Sequence, residues 1–185
     1  MDINKSLSSE MIELAKTFPT NEKELLAPNG YFGYLFHYLS GMSGKFLEIG
    51  YRKGFFLEVC KKIKIPSVHI DITDKLLRAV PTDNNTALVM DSIKFLKTTT
   101  DKFGLVFQDG SKEFKYRWEE YQLIHERGLL EGGYIISDDL HYSGCRKAFQ
   151  QAQLELGYKA LEIKVHGGKR KLGVLSTMEV KPAWK

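Results

Sequence analysis

The sequence predicts an α/β domain built on a doubly wound sheet with an antiparallel edge. Three observations point there. A strand-then-helix rhythm sets in at Lys45, each strand in it ends in an acidic residue, and the chain closes on two apolar runs joined by a Gly-Gly turn. With 185 residues, 43% of them hydrophobic, the chain can bury one sizeable core, and 27% charged residues suit an ordinary soluble surface. One domain across 1–185 is expected, with residues 1–43 as a helical cover and 44–181 as the core.

The elements follow in order. Ser8 to Phe18 and Tyr31 to Leu39 read as short helices separated by the turn residues of "LAPNG". "KFLEIG" is a strand, and "GFFLEVCKKIK" a helix with Phe55, Phe56, Val59, Cys60 and Ile63 on one apolar face. "SVHIDI" is a strand before the helix "TDKLLRAV", and "TALVMD" a strand before "SIKFLKTTT". "GLVFQDG" is a strand before a long helix through "FKYRWEEYQLIHERGLL", in which Phe114, Trp118 and Tyr121 recur at core spacing. "GYIISDD" adds a strand, "GCRKAFQQAQLEL" a helix, and "YKALEIKVHGGKRKLGVLSTMEV" an antiparallel hairpin.

Bulk properties exclude several function classes. A net charge of +4, with Lys and Arg spread out apart from clusters such as Lys169-Arg170-Lys171, is no nucleic-acid footprint. The apolar runs are too short for a bilayer, and the N-terminus "MDINKSLSSEMIELAK" has no signal-peptide core, so neither a membrane nor export is expected and the cytoplasm is the default. Cys60 and Cys145 are too few for a disulfide framework or a structural zinc site, and Cys60 reads as packing.

Open α/β sheets bind ligands beyond the carboxyl ends of their strands. At those ends stand Glu48-Ile49-Gly50, Asp71, Asp91, Asp109 and Asp138-Asp139. Taken singly, each acid is also readable as a helix cap or a solvated loop acid. Together they describe one acidic crevice. The adjacent pair Asp138 and Asp139 repel each other and call for a cation, a ring of backbone donors, or open water. In "LEIGYRKG", Gly50 sits in the turn after the first strand and Gly54 where the next helix begins, which lets backbone N–H groups approach a ligand. Arg52 stands where a G-x-G-x-x-G pattern has glycine, and a pyrophosphate would meet Glu48, so a cationic ligand suits the crevice better than a dinucleotide.

Over roughly residues 44–178 the chain resembles the class I S-adenosylmethionine-dependent methyltransferases, whose first motif E/D-x-G-x-x-x-G matches Glu48 through Gly54. Within them it is most similar to the metal-dependent O-methyltransferases of the catechol and macrocin (sugar) types, on "FQDGSK", the long helix, "LLEGGYIISDD" and "GCRKAF". The resemblance implies a Rossmann-like seven-stranded sheet and S-adenosylmethionine as cofactor. Glu48, Gly50, Tyr51, Arg52 and Gly54 would then lie on the methionine and ribose side, Asp71 with Ile72 at the ribose, Asp91 with Ser92 at the adenine, and Asp109 beside the cofactor.

Asp109, Asp138 and Asp139 end neighbouring strands about 5 Å apart, and three such oxygen donors are what a hard divalent cation, Mg2+ first, requires. The resemblance gives that triad the metal and gives two neighbouring hydroxyls of a small-molecule acceptor, a catechol or a sugar diol, to the metal. Many relatives have Asn where Asp139 stands. Lys112 matches the catechol-type general base, with a pKa lowered by the cations beside it; His141 is the alternative, and His69 reads as structural. Tyr31, Phe32, Tyr34 and Phe36 are open to three readings: cover over an aromatic acceptor, homodimer contact, or core.

Overall fold

The computed structural model describes residues 31–73, 80–165 and 168–180. The expected helix at Ser8 to Phe18, most of the expected helix "TDKLLRAV", and the side chains of Tyr31, Phe32 and Phe36 lie outside the described residues. The elements are α1 (Tyr31–Gly41), β1 (Lys45–Ile49), α2 (Phe55–Lys62), β2 (Ser67–Asp71), β3 (Asn85–Val89), α3 (Ser92–Thr98), β4 (Phe103–Gln108), α4 (Phe114–Glu126), β5 (Leu130–Ser137), α5 (Ser143–Glu155), β6 (Lys159–Val165) and β7 (Arg170–Ser176).

They form a seven-stranded sheet in the order β3-β2-β1-β4-β5-β7-β6. β1 pairs in parallel with β2 and β4, β2 with β3, and β4 with β5, whereas β7 runs antiparallel to both β5 and β6. The antiparallel edge is therefore the hairpin the sequence predicts, with β7 inserted beside β5 and β6 left outermost. Parallel strands buried on both faces tend to be apolar at successive positions; β4 is from Phe103 to Phe107, whereas β1 and β2 are interrupted by the buried polar residues Glu48, Ser67 and His69.

Alternation divides their side chains between two cores. On one face Phe46, Leu105, Phe107 and Ile136 meet Leu35, Tyr38 and Leu39 of α1 and Phe55, Phe56, Val59 and Cys60 of α2. On the other, Leu47, Ile49, Val68, Ile70, Val106 and Ile135 meet Phe95 and Leu96 of α3, Tyr121 and Ile124 of α4, and Ala148, Phe149 and Ala152 of α5. The sheet is thus doubly wound. Phe114 and Trp118 pack against the second core, as their spacing with Tyr121 predicts. Among the described residues, no helix is long and apolar enough to cross a membrane.

Helix α5 lies so close to β7 that a methyl group at Gly173 would stand 2.2 Å from Phe149 Cε2 and 2.7 Å from Leu140 Cδ1. Gly173→Ala is expected to destabilise the fold by about 1–3 kcal/mol through overpacking. In a urea titration the midpoint should drop with little change in slope.

Candidate functional site

The order of the sheet reverses between β1 and β4: the chain winds outward from β1 to β3 and returns to β4 on the other side. Beyond the carboxyl ends of these strands lies a cavity of about 510 Å³, within the range of small-molecule sites. Gly50, Arg52, Asp71, Ile72, Asp91, Ser92 and Asp109 all line it, which brings together seven of the residues expected at a cofactor. Thr73, Met90, Ser111 and Tyr116 line it as well and were not anticipated. Only Thr73 had a readable signal, since "DIT" has the spacing of an aspartate turn.

Gly50 has φ 94, and a Cβ there would stand 2.5 Å from the Asp109 carbonyl oxygen. Its N–H donates to the Ile70 carbonyl at 2.7 Å, while the Asp109 N–H donates to the Ile49 carbonyl at 2.8 Å. The glycine is therefore required first by the closeness of two chain segments. Arg52 adopts φ 46 and donates its backbone N–H to Asp71 Oδ2 at 3.0 Å. Asp71 Oδ1 accepts from the Thr73 N–H at 2.9 Å and the Thr73 hydroxyl at 3.0 Å. These donors fix the Asp71 carboxylate at the cavity wall. Tyr51 and Gly54 shape this turn without lining the cavity: Tyr51 is buried and Gly54, at φ 79, caps α2.

Glu48, expected on the methionine side, lies in the first core, because alternation puts it on the same face of β1 as Phe46. Its Oε2 is 2.5 Å from His69 Nδ1, and His69 Nε2 is 2.7 Å from the Ser67 hydroxyl, which also accepts from Asn85 Nδ2 at 2.8 Å. Burial pushes the Glu48 carboxyl well up, with Asp71 adding to it, and burial pulls His69 down to about 3. The pair holds one proton between them in a dry site. His69 is structural, as the sequence suggests, and so is its partner.

Asp91 caps α3 by accepting from the Lys94 N–H at 3.0 Å, and it lines the cavity at the same time. Beside it the Ser92 hydroxyl donates to Glu120 Oε1 at 2.6 Å. Glu120 is 1% exposed, and its Oε2 accepts from Gln108 Nε2 at 2.9 Å. Gln108 Oε1 in turn accepts from the Ser137 hydroxyl at 2.8 Å, and Ser137 meets the Tyr121 hydroxyl. Arg117, fully buried, donates to the carbonyls of Ser111 and Gln108 at 2.6 and 2.9 Å, stapling the turn that carries Asp109.

The acidic triad assembles as predicted: Asp109, Asp138 and Asp139 each offer an oxygen within 4.8 Å of the others. Asp138 and Asp139 are nearly inaccessible, at 0% and 2% exposure. What balances their charge is partly new. Arg170 Nη2, from β7, donates to Asp138 Oδ2 at 2.8 Å and Asp139 Oδ1 at 3.2 Å, and Lys112 Nζ lies 2.9 Å from Asp139 Oδ2. The Asp139 N–H donates to Asp138 Oδ1 at 2.6 Å, with Asp139 in the left-handed region at φ 65. Burial, then Asp138, raise the Asp109 carboxyl to about 8. Burial likewise raises Asp138 against the pull of Arg170, whereas at Asp139 burial is outweighed by Lys112 and Arg170, and its carboxyl stays low.

In kind, number and spacing, these donors fit a hard cation. Ligands 2.3–2.6 Å from Ca2+ span up to about 5 Å, and the shorter bonds of Mg2+, about 2.1 Å, would require the triad to close by more than about half an ångström. A divalent ion would enter in competition with Arg170 and Lys112. Lys112 also sits 4.1 Å above the Tyr142 ring. Burial pulls its pKa down, yet Asp139 and Tyr142 outweigh this and raise it, the reverse of the expected lowering. His141 Nε2 stands 3.7 Å from Asp139 Oδ1.

No protein-family model and no curated protein matches the chain. Solved structures do. MycE methyltransferase of the mycinamycin biosynthetic pathway, in complex with Mg and SAH, aligns with a TM-score of 0.65 at 17% identity, over 96% of this chain and 58% of that one. Cofactor-bound Rv0187 from MTB aligns at 0.61 and 17% identity, over 93% and 89%. A SAM-dependent methyltransferase from Archaeoglobus fulgidus aligns at 0.56 and 16% identity, over 77% and 89%. At such identities the likeness establishes a Rossmann-like methyltransferase fold, and a fold by itself does not assign an activity.

The shared proton of Glu48 and His69 makes stability depend on pH in both directions. Glu48, raised above 4.5, contributes stability that is present below 4.5 and lost as pH rises through its folded value. His69, lowered from 6.5 to about 3, contributes stability that is present above 6.5 and lost as pH falls. The pair therefore favours folding most between those two unfolded values. Glu48→Gln keeps a hydrogen bond to neutral His69 but has no proton to lose, so its stability optimum is expected above pH 6.5. Melting temperatures of the two proteins from pH 4 to 9 measure this.

Proposed function

We propose that the chain is an S-adenosylmethionine-dependent methyltransferase acting on a hydroxyl of a small molecule, a catechol or phenol or a sugar diol, with the help of a divalent metal. The observation that carries the reading is the juxtaposition of Asp71, held by three donors at the wall of the switch-point cavity, with the acid triad at the ends of β4 and β5. Its support is the fold shared with MycE, itself bound to Mg and SAH.

S-adenosylmethionine supplies an activated methyl group as a sulfonium: the C–S bond breaks as the C–O bond forms, and the acceptor's proton leaves for a base. On this reading Asp71 accepts the ribose hydroxyls, Asp91 and Ser92 face the adenine, and the Gly50 turn, with the Tyr51 and Gly54 that shape it, bounds the methionine end. A divalent cation on Asp109, Asp138 and Asp139 would supply Lewis acidity to the acceptor hydroxyls. Lys112 stands nearest as base, but Asp139 holds it protonated. Charge drawn away from Asp139 would release that hold and favour the neutral amine. Alignment of donor and acceptor carries most of the rate in such a displacement.

One observation favours a second reading. Arg170 and Lys112 already meet the charges of Asp138 and Asp139, so the same cofactor site would serve a metal-independent methyltransferase. Activity that survives EDTA would decide for it.

Two results are expected. Calorimetry with S-adenosylhomocysteine should give binding to the wild type that weakens about 10–100-fold in Asp71→Ala, the worth of hydrogen bonds to a carboxylate; equal affinities would refute the cofactor assignment. Mn2+ should bind Arg170→Gln at least about tenfold more tightly than wild type, because an internal competitor has been removed, and should be lost in Asp138→Asn. If neither the wild type nor Arg170→Gln binds Mn2+, Mg2+ or Ca2+, the metal reading fails.

A further inference from the structure

The buried polar chain beneath the strand ends has a direction. Tyr121 is fully buried, and its hydroxyl meets Ser137 Oγ. If Ser137 donated to Tyr121, the Tyr121 hydrogen would need another acceptor. If instead Tyr121 donates to Ser137, then Ser137 donates to Gln108 Oε1, which turns Gln108 Nε2 toward Glu120 Oε2. Glu120 is left as a pure acceptor between two donors, Gln108 Nε2 and the Ser92 hydroxyl. A hydroxyl has one hydrogen and two lone pairs. With its hydrogen committed inward to Glu120, Ser92 can only accept from whatever occupies the cavity it lines.

Resting on the nucleoside reading above, we propose that Glu120 sets the base specificity of the cavity: it takes the only hydroxyl hydrogen of Ser92, so that Ser92 offers lone pairs to an exocyclic amino group and rejects a carbonyl in its place. The preferred base is a 6-aminopurine. A 6-oxopurine would put an acceptor against an acceptor, the mismatch that gives polar pockets their discrimination. Glu120 is here a positioning residue acting through Ser92. Burial raises the Glu120 carboxyl, and Arg117, one turn earlier on α4, works against that rise together with the hydrogen bonds from Ser92 and Gln108, so the acceptor role rests on the two donors that face it.

Glu120→Gln reverses the arrangement at one point. Its amide satisfies every neighbour when Oε1 accepts from Gln108 and Nε2 donates to Ser92, which leaves the rest of the chain intact and turns the Ser92 hydrogen into the cavity. The test is calorimetry with S-adenosylhomocysteine and S-inosylhomocysteine on wild type, Glu120→Gln and Ser92→Ala, each checked for a cooperative melt. The two ligands also differ at N1, but equally for every protein, so the change in their affinity ratio isolates the Ser92 contact. The wild type should prefer the adenosyl ligand at least tenfold. In Glu120→Gln that preference should fall tenfold or more, and in Ser92→Ala it should fall as well. Should Glu120→Gln fail to fold, Ser92→Ala carries the test. An unchanged ratio in the folded variants would overturn the proposal while leaving the nucleoside reading in place. Binding of neither ligand by the wild type would overturn both.

Discussion

The seam between β1 and β4 is the constraint on which the site depends. Sheet order reverses there, so the loops leaving the two strands diverge and open a cavity, yet just below it the two chains touch more closely than any side chain permits. Gly50 meets the Asp109 backbone with no room for a Cβ, and reciprocal backbone hydrogen bonds tie the turn to β2 and β4. This contact fixes the floor of the cavity and the height of Asp109 above it. A glycine read from sequence as permission for a ligand to approach turns out to be permission for the chain itself to approach. Any ligand inherits a wall already set by backbone geometry.

Electrostatics then decide what such a floor can hold. The strand ends gather carboxylates, and like charges that are both close and dry raise each other's pKa. The chain answers in two ways. Asp139 is kept ionised by Lys112 and Arg170, while Asp109, with no cation in hydrogen-bond contact among the described residues, is pushed up to about 8. The triad is therefore graded, and the carboxylate of lowest proton affinity is also the one most heavily bonded. On the proposed reading a metal would meet Arg170 as a competitor for Asp138 and Asp139, which would make β7 part of the site even though it lies beyond the parallel strands. The Leu140 N–H donates to the Lys171 carbonyl at 3.1 Å and so ties that loop to the hairpin.

What could be read from the sequence was whatever repeats locally. Strand and helix periods gave the doubly wound order and the terminal hairpin; the acids at successive strand ends gave the position of the crevice, and Asp71, Asp91, Asp109 and the Asp138–Asp139 pair all stand where their spacing predicts. Pairings across the fold could not be read. His69 finds Glu48 at a separation of 21 residues, Ser92 finds Glu120 at 28 and Asp138 finds Arg170 at 32. Nothing in the spacing along the chain marks these partners, since they depend on register between strands and on the face a helix presents. Glu48 was misplaced for the same reason. Motif position put it at the mouth of the crevice, whereas the pleat of β1 turned it into the core. Lys112 stands beside Asp139, and its proton affinity is raised where the sequence reading expected it lowered, because the acid that holds it lies across the fold.

Those long-range pairs are also what joins the two ends of the crevice. Gln108, the last residue of β4, accepts from Ser137 at the end of β5, donates to Glu120 under Ser92, and carries on its carbonyl both the Arg117 guanidinium and the Asp138 N–H. Its neighbours therefore include the turn beneath the proposed adenine and the strand end that bears the acid pair. Among the described residues Arg117 Nη2 is the one buried side-chain atom of this network without a partner, and the rest is stiff, because turning any one amide or hydroxyl leaves a buried group unpaired at a cost of about 1–3 kcal/mol. Methyl transfer demands a donor and an acceptor held in line to within a fraction of an ångström. On the proposed reading, the strut that sets the spacing between the nucleoside and acceptor subsites would be the side chains of Gln108, Glu120, Ser137 and Arg117 and not the ligands themselves.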